Sequence, residues 1–268
     1  MEHWRRALRW TFAGIFVAAL AGGVLGSLTR GSLADATGET QQHVTTTSSA
    51  AASATATTGT KKGHGPAVSP KIVAQGTAAL LLLSDLPSGW TSGGTPAAPT
   101  RVTPWSSKLA SCVGIPAKVA EVAPTKVNGP NFTSADQVDA VEDSVSVYPS
   151  AAKAQAEYAA LAGSKTTACM NRVASTALQQ NMQKEAGATT TVGVVSFAGL
   201  PAGAAALHLT GFTVTIPIAR GGRVLTVTST QVDFVSGALV HQMTFNGNGA
   251  AFPAPLEEQL LSKMQAAH

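Results

Sequence analysis

Aromatic and charged side chains are scarce in this chain of 268 residues, at 5% and 12% of its composition. A hydrophobic core must therefore be built largely from Val, Leu and Ala. The chain also lacks GxGxxG, the P-loop pattern and the GxSxG elbow. These absences argue against the common dinucleotide-binding, phosphate-loop and α/β-hydrolase classes.

A basic cluster with interleaved aromatic residues is also missing, although the isoelectric point is about 9.2. Residues 1–70 carry six Lys and Arg against three Asp and Glu, while residues 71–268 carry twelve against eleven. The positive charge thus belongs mostly to the N-terminal seventy residues, and a nucleic-acid partner is not expected.

An uncharged, largely apolar stretch of twenty residues runs over residues 10–29 and follows three arginines, Arg5, Arg6 and Arg9. Twenty residues of helix span about 30 Å, the thickness of a bilayer's hydrocarbon core. We predict a transmembrane helix or signal anchor with residues 1–9 as its cytoplasmic flank and the rest of the chain outside the cell. The alternative is a secretory signal peptide cleaved near Ala36, which would release the protein.

Residues 30–75 are rich in Ser, Thr and Ala and show no apolar periodicity. Such a segment cannot bury enough apolar surface to offset the entropy of ordering, so it predicts a disordered linker. The folded domain is then expected over residues 76–268. Its first segment, a Leu-rich run closed by Pro87 and Gly89, predicts a turn on which Trp90 packs back.

The domain's periodicity predicts an α+β fold, a curved antiparallel sheet with helices packed on it. Val141, Val145 and Val147 alternate with polar residues and indicate a strand over 141–148. Ser150 is the expected N-cap of the helix that follows. Further helices are predicted over 165–184 and 255–267, and further strands over 191–197, 206–218, 223–235 and 238–246. The last three form a meander, and changes of apolar phase predict a bulge or bend near Gly211 and Thr230.

Cys112 and Cys169 are the two cysteines of the chain. An even number in an oxidising compartment favours one disulfide, with two unpaired thiols as the alternative. The bond would close a ring of about 58 residues and contribute about 4 kcal/mol on the chain-entropy estimate.

Four patterns could carry chemistry, and each has a simpler structural interpretation. Ser150 and Lys153 match SxxK, but no SDN or KTG follows, so a helix cap is favoured. His208 and His241 could meet near Asp233 as a metal or acid–base site, yet ordinary sheet histidines are commoner.

The acidic residues Asp136, Asp139, Glu142 and Asp143 are interrupted by apolar positions, which favours a solvated edge over a calcium site. Asn131 begins a glycosylation sequon. No catalytic residue, metal or cofactor is therefore assigned.

Several segments together resemble a known family. They are the LLLLSDLPSGW run at 80–90, Cys112, the SVSVYPSAAKAQAEYAAL run at 144–161 and Cys169. They are similar to the extracellular sensor domain of mycobacterial receptor serine/threonine kinases and to related secreted proteins and lipoproteins. The resemblance implies a curved sheet with a cleft for an unidentified ligand. This chain has no kinase domain before the apolar stretch and has cysteines for one of that domain's two disulfides.

These observations predict a membrane-anchored, extracytoplasmic and non-enzymatic module of the cell envelope that binds a ligand or partner. A carrier of a lipid or other apolar molecule is the alternative, and a small hydrolase is a more remote one. A closed apolar cavity would favour the carrier, whereas a polar groove would favour the sensor-like module.

Overall fold

The computed structural model describes residues 68–95, 107–114, 125–163, 165–186, 188–201 and 203–266. The predicted flank at 1–9, the membrane segment at 10–29 and residues 30–67 of the predicted linker lie outside these ranges. Within them, no helix is both long and apolar enough to cross a membrane.

An open antiparallel sheet organises the described part of the chain, and together with the helices it confirms the α+β class. Its main path runs β1-β3-β4-β9-β8-β7-β5, with β2 paired to β4 and β6 paired to β7. The strands are β1 (Thr91–Ser92), β2 (Thr125–Asn128), β3 (Phe132–Thr133), β4 (Asp139–Val147), β5 (Thr190–Val192), β6 (Ser196–Gly199), β7 (Thr210–Arg220), β8 (Arg223–Ser236) and β9 (Leu239–Asn248).

Seven α-helices accompany the sheet in the described ranges. They are α1 (Pro70–Ala78), α2 (Ser107–Val113), α3 (Ala151–Leu161), α4 (Thr166–Val173), α5 (Ser175–Ala186), α6 (Gly203–Ala206) and α7 (Ala254–Ala266). Ser150 caps α3 as predicted, because its side chain accepts a hydrogen bond from the Lys153 backbone N–H.

Both faces of the sheet are covered, each by a different helical layer. Helices α4 and α5 pack on one face at β5, β6 and β7, where Phe212, Val214 and Ile216 are buried. On the other face α7 lies over the centre of the sheet and buries Val232 and Phe234. The predicted cover by α7 is confirmed, since Leu260 and Met264 belong to that core.

The predicted meander is confirmed, and of the bulge or bend expected near Gly211 and Thr230 the bulge is wrong. Strands β7, β8 and β9 pair without an inserted residue from Thr210 to Asn248. The change of phase in β8 has another cause. Its first half buries Val227 under α4 and α5, and its second half buries Val232 under α7.

Bulges occur instead in the short outer strands. Residues 129–131, between β2 and β3, stand opposite two residues of β4. Residues 193–195, between β5 and β6, stand opposite two residues of β7. The second bulge divides the strand predicted over 191–197.

Two predicted boundaries differ for reasons of tertiary contact. Helix α1 begins at Pro70, inside the predicted linker, because Gly76 lets it pack closely on Val145 and Val147. The helix predicted over 165–184 divides at Ala174 into α4 and α5. On either side of that break, the Asn171 and Ser175 side chains bind the backbone at Phe197 and Val195.

The Leu-rich segment at 80–90 forms a turn that joins the sheet to α7. The Asp85 carboxylate accepts a hydrogen bond from the Leu82 N–H at 2.9 Å and pairs with Lys263 of α7. Trp90 packs against the core that contains Leu81, with its ring edge-on to Phe252 at 6.2 Å. This motif therefore has a structural role, because it connects α7 and the core of the sheet.

Candidate functional site

A band of polar side chains crosses one face of the sheet between α3 and the α4–α5 layer. The register places its members on β2, β4, β9 and β8 with their side chains toward the same face. We call this set the polar band: Lys126, Glu142, Ser144, Gln231, Asp233, Gln242 and Thr244.

Hydrogen bonds connect the band across three strands. The Lys126 Nζ donates to Gln242 Oε1 at 3.3 Å, and Gln242 Nε2 donates to Asp233 Oδ1 at 3.1 Å. Gln231 Nε2 donates to the other oxygen of Asp233 at 2.9 Å. The Gln242 amide thus forms a hydrogen-bonded link between the lysine and the aspartate. Both Asp233 oxygens accept hydrogen bonds.

Burial shifts the ionisation of the charged members of the band. It raises the pKa of Asp233 to about 6, while the hydrogen bonds from Gln231 and Gln242 and the charge of Lys126 oppose that rise. Burial lowers the pKa of Lys126 to about 8, opposed by the nearby charges of Asp233 and Glu142. These groups are thus poised to titrate near physiological pH.

The bulge at residues 129–131 opens a gap beside the band. Strand β2 pairs with β4 as far as Asn128 opposite Ser144, and β3 resumes at Phe132 opposite Val141. A cavity with room for about one water molecule lies there. We call this cavity the notch; it is lined by Asn128, Asn131, Glu142, Asp143, Ser144, Gln242 and Thr244.

Two acidic residues of β4 are among those that line the notch, and both are buried. Glu142 is 9% exposed and Asp143 is 6% exposed, so the predicted solvated edge is wrong at these two positions. Burial raises the pKa of Glu142 to about 8, with Lys126 lowering it and Asp143 raising it further. Burial also raises the pKa of Asp143 to about 7, although the hydrogen bond from the Leu81 N–H lowers it.

The other two acidic residues of the sequence cluster lie outside the notch. The Asp136 Oδ1 accepts hydrogen bonds from Ser134 Oγ and the Val138 N–H and closes the turn before β4. Asp139 pairs with Gly247 at the start of that strand. Within the described residues, no group of three or more His, Cys, Asp and Glu side chains is arranged to hold a metal ion.

The histidine pair considered from sequence does not form. His208 precedes β7, is exposed and has a φ of +54°. His241 is buried on the face opposite the polar band, where its ring stacks on Phe234 with centroids 4.5 Å apart. Asp233 and His241 therefore point to opposite faces of the sheet.

The disulfide between Cys112 and Cys169 forms, with Cα atoms 5.8 Å apart. It joins α2 to α4 at the margin of the core under the α4–α5 layer. The Arg172 guanidinium donates to Cys112 Sγ at 2.6 Å. The bond lies apart from the polar band and has a structural role.

Sequence reasoning missed Lys126, Gln231 and Gln242, and it placed Asp233 with the histidines. Polar residues at alternate positions of β8 and β9 read as an ordinary solvated face. The available signal was that Ser229, Gln231 and Asp233 share one face with Gln242 and Thr244 of the next strand once the hairpin register is known.

No protein-family model and no curated protein matches the chain. Among solved structures, it is similar to the extracellular domain of PknH from Mycobacterium tuberculosis, at 12% sequence identity and a TM-score of 0.36. The match covers 76% of this chain and 100% of that one. A likeness this low carries no argument about function, so the sensor-domain resemblance stays a prediction.

Proposed function

We propose that this chain is a membrane-anchored extracytoplasmic module that binds a polar ligand or an envelope partner across the polar band and performs no chemistry. The observation that carries the proposal is the band itself. It places a lysine, two carboxyl groups and two amide side chains on one face of the sheet. Polar groups of these kinds orient ligands in binding sites by hydrogen bonding.

The non-enzymatic part of the proposal rests on the arrangement of the groups considered for catalysis. Ser150 accepts a hydrogen bond as a helix cap, and the histidines do not form a pair, since His208 is exposed before β7 while His241 is buried against Phe234. The residues of the polar band include no serine or cysteine nucleophile beside a histidine base. Binding is the use that this arrangement supports.

The alternative, a carrier of an apolar molecule, would need a cavity lined by hydrophobic side chains. The notch is lined by polar side chains instead, and the buried Val, Leu and Phe residues pack into clusters under the helices. To separate the two functions, the chain is cleaved in the linker with trypsin, and the released domain is extracted with organic solvent for mass spectrometry. Stoichiometric lipid would support the carrier and contradict our proposal.

The binding surface is tested by hydrogen–deuterium exchange with soluble muropeptides as the probe. We expect new protection in β4, β8 and β9. We expect Gln242→Leu to abolish this protection because it removes the two hydrogen bonds that link Lys126 to Asp233. Thr226→Leu is the control, since Thr226 is exposed on the opposite face of β8. Protection confined to α7, or equal protection in Gln242→Leu, would remove the polar band as the site.

A further inference from the structure

Most members of the polar band are buried too deeply for a ligand to reach them. Asp233, Gln231 and Thr244 are 1%, 5% and 6% exposed, so a ligand contacts their side chains only if a neighbouring element moves. Two described helical elements flank the band, α3 on one side and the α4–α5 layer on the other. Their attachments to the sheet differ, and this difference determines which of them can move.

The α4–α5 layer is firmly attached to the sheet. Side chains at every fourth position of these helices form hydrogen bonds with the backbone of residues 190–197; they belong to Asn171, Ser175, Gln179 and Gln183. The same helices bury Met170 and Met182 in the core beneath them, and the disulfide joins α4 to α2. Displacing this layer would disrupt all of these interactions together.

Helix α3 is attached more weakly. Six of the ten residues 151–160 are exposed, and Ala154 is buried against Val240 in a small cluster with Tyr148. Val235, which pairs with Val240, packs against the same cluster. A segment with few buried apolar side chains opens at a lower free energy than the rest of a structure.

This weakly attached helix lies beside the centre of the band. Val235 is two positions after Asp233, so both side chains lie on the same face of β8. Because α3 packs on Val235 and Val240, it covers the row of the sheet next to Asp233. The charge of Glu157 on α3 also influences Asp233. Movement of α3 would therefore uncover the Asp233 end of the band.

A hydrogen bond from Tyr158 holds α3 to the segment that precedes β7. The Tyr158 hydroxyl donates to the His208 carbonyl oxygen at 2.5 Å, in an exposed position. The acceptor segment is itself held in place, because the Leu209 N–H donates to the Ala204 carbonyl oxygen at 3.0 Å. His208 has a φ of +54°, a strained conformation of the kind found at switch segments. This bond thus connects a weakly attached helix to a fixed loop.

We propose that α3 is a movable lid of the polar band, held closed by the Tyr158–His208 hydrogen bond and displaced when the ligand enters. This inference rests on the function proposed for the band. Because the ligand binds the open form, its apparent dissociation constant is the intrinsic value divided by the fraction of chains that are open. A change that loosens the lid should therefore tighten binding, which a helix with a purely structural role would not do.

The movement of α3 is tested by thiol labelling of the purified full-length chain. Val240→Cys places a thiol directly beneath α3, and the native cysteines are joined in the disulfide. Tyr158→Phe removes the donor hydroxyl and keeps the ring. It should raise the open fraction, and with it the labelling rate, about fivefold, the effect of losing one ordinary hydrogen bond. An unchanged rate would overturn the lid.

Two controls separate movement of α3 from other effects. Gln155→Ala, at an exposed position of the same helix, should leave the labelling rate of the Val240→Cys chain unchanged. Leu178→Cys places a thiol beneath α5 and reports opening of the whole domain, so its labelling rate should not respond to Tyr158→Phe. Equal acceleration at both thiols would show global opening and overturn the proposal.

Titration calorimetry with soluble muropeptides then distinguishes the lid from the function of the band. We expect Tyr158→Phe to bind this probe about fivefold more tightly than the wild type. Ala154→Gly, which removes the buried methyl group between α3 and Val240, should change labelling and affinity in the same direction. Faster labelling with no muropeptide binding in any chain would support the movement of α3 and contradict the function proposed for the band. Faster labelling with unchanged or weaker muropeptide binding would overturn α3 as the lid.

Discussion

Asp233 is the residue on which the polar band converges. It is 1% exposed, accepts hydrogen bonds from two glutamines and lies within the electrostatic influence of Lys126. An isolated buried carboxylate would be strongly unfavourable, so these three neighbours are what allow an acidic residue in the centre of a sheet. The folded structure around Asp233 therefore sets the pKa of its carboxyl group.

The raised pKa of Asp233 predicts a pH dependence of stability. The folded state keeps the proton up to about pH 6, whereas the unfolded chain loses it near pH 4, so raising the pH across this window disfavours folding. The Asp233 contribution is of the order of 3 kcal/mol. Urea unfolding at pH 4 and pH 7 should therefore show a smaller pH-dependent loss of stability in Asp233→Asn than in the wild type. An identical loss in both proteins would refute this assignment.

Gly211 is the backbone position at which a side chain is least tolerable. Its φ is +147°, and a Cβ there would lie 2.0 Å from the Gln231 carbonyl oxygen. Gly211→Ala should therefore lower the free energy of unfolding by at least about 3 kcal/mol, through strain and displacement of β8. Gly221→Ala, in the open β7–β8 turn, should cost only about 1–2 kcal/mol. Similar losses in the two variants would show that the close approach is not limiting.

At the scale of elements, β8 shows how one strand serves two cores. Its apolar residues change face midway because α4 and α5 cover one side of its first half and α7 covers the other side of its second half. From sequence the same pattern predicted a bulge or a bend. Hydrophobic periodicity shows which face of a strand is buried at each position. It does not show whether a change of face comes from a bulge in the strand or from a different covering helix.

The outer strands were beyond sequence reasoning for a related reason. Strands β1, β3 and β5 have two or three residues each, too few for a period to be recognised. The bulge at residues 129–131 depends on where β2 and β3 pair with β4, which is a long-range fact. The longer elements, including the strand over 141–147 and the C-terminal helix, were predictable because apolar residues recur on one face of each at the expected period.

The disulfide fixes α2 against α4, and its removal tests that connection. Replacing Cys112 and Cys169 together by Ser should lower the free energy of unfolding by about 4 kcal/mol, because a ring closed across 57 positions no longer restricts the unfolded chain. Thiol labelling of the denatured, unreduced wild type should find no free cysteine. A stability unchanged in the double variant, or two labelled thiols, would contradict a structural bond.

At the scale of the whole molecule, the chain combines three parts: an apolar N-terminal stretch, a segment rich in Ser, Thr and Ala, and a disulfide-bonded domain with a polar band. The sequence predicted the first two parts. It also predicted an extracytoplasmic location, in which a disulfide is expected. The band could not be predicted, because its members lie on β2, β4, β8 and β9 and meet only in the sheet. The function proposed for it requires the domain to face the outside of the cell.

That orientation is tested most directly by labelling intact cells. Val224 is 70% exposed in β8, so Val224→Cys places a thiol on the domain surface with little effect on the core. We predict that a membrane-impermeant maleimide labels this cysteine in intact cells and that the labelled chain stays with the membrane after a carbonate wash. Labelling only in broken cells would contradict an extracytoplasmic domain, and labelled protein released into the medium would contradict the anchor.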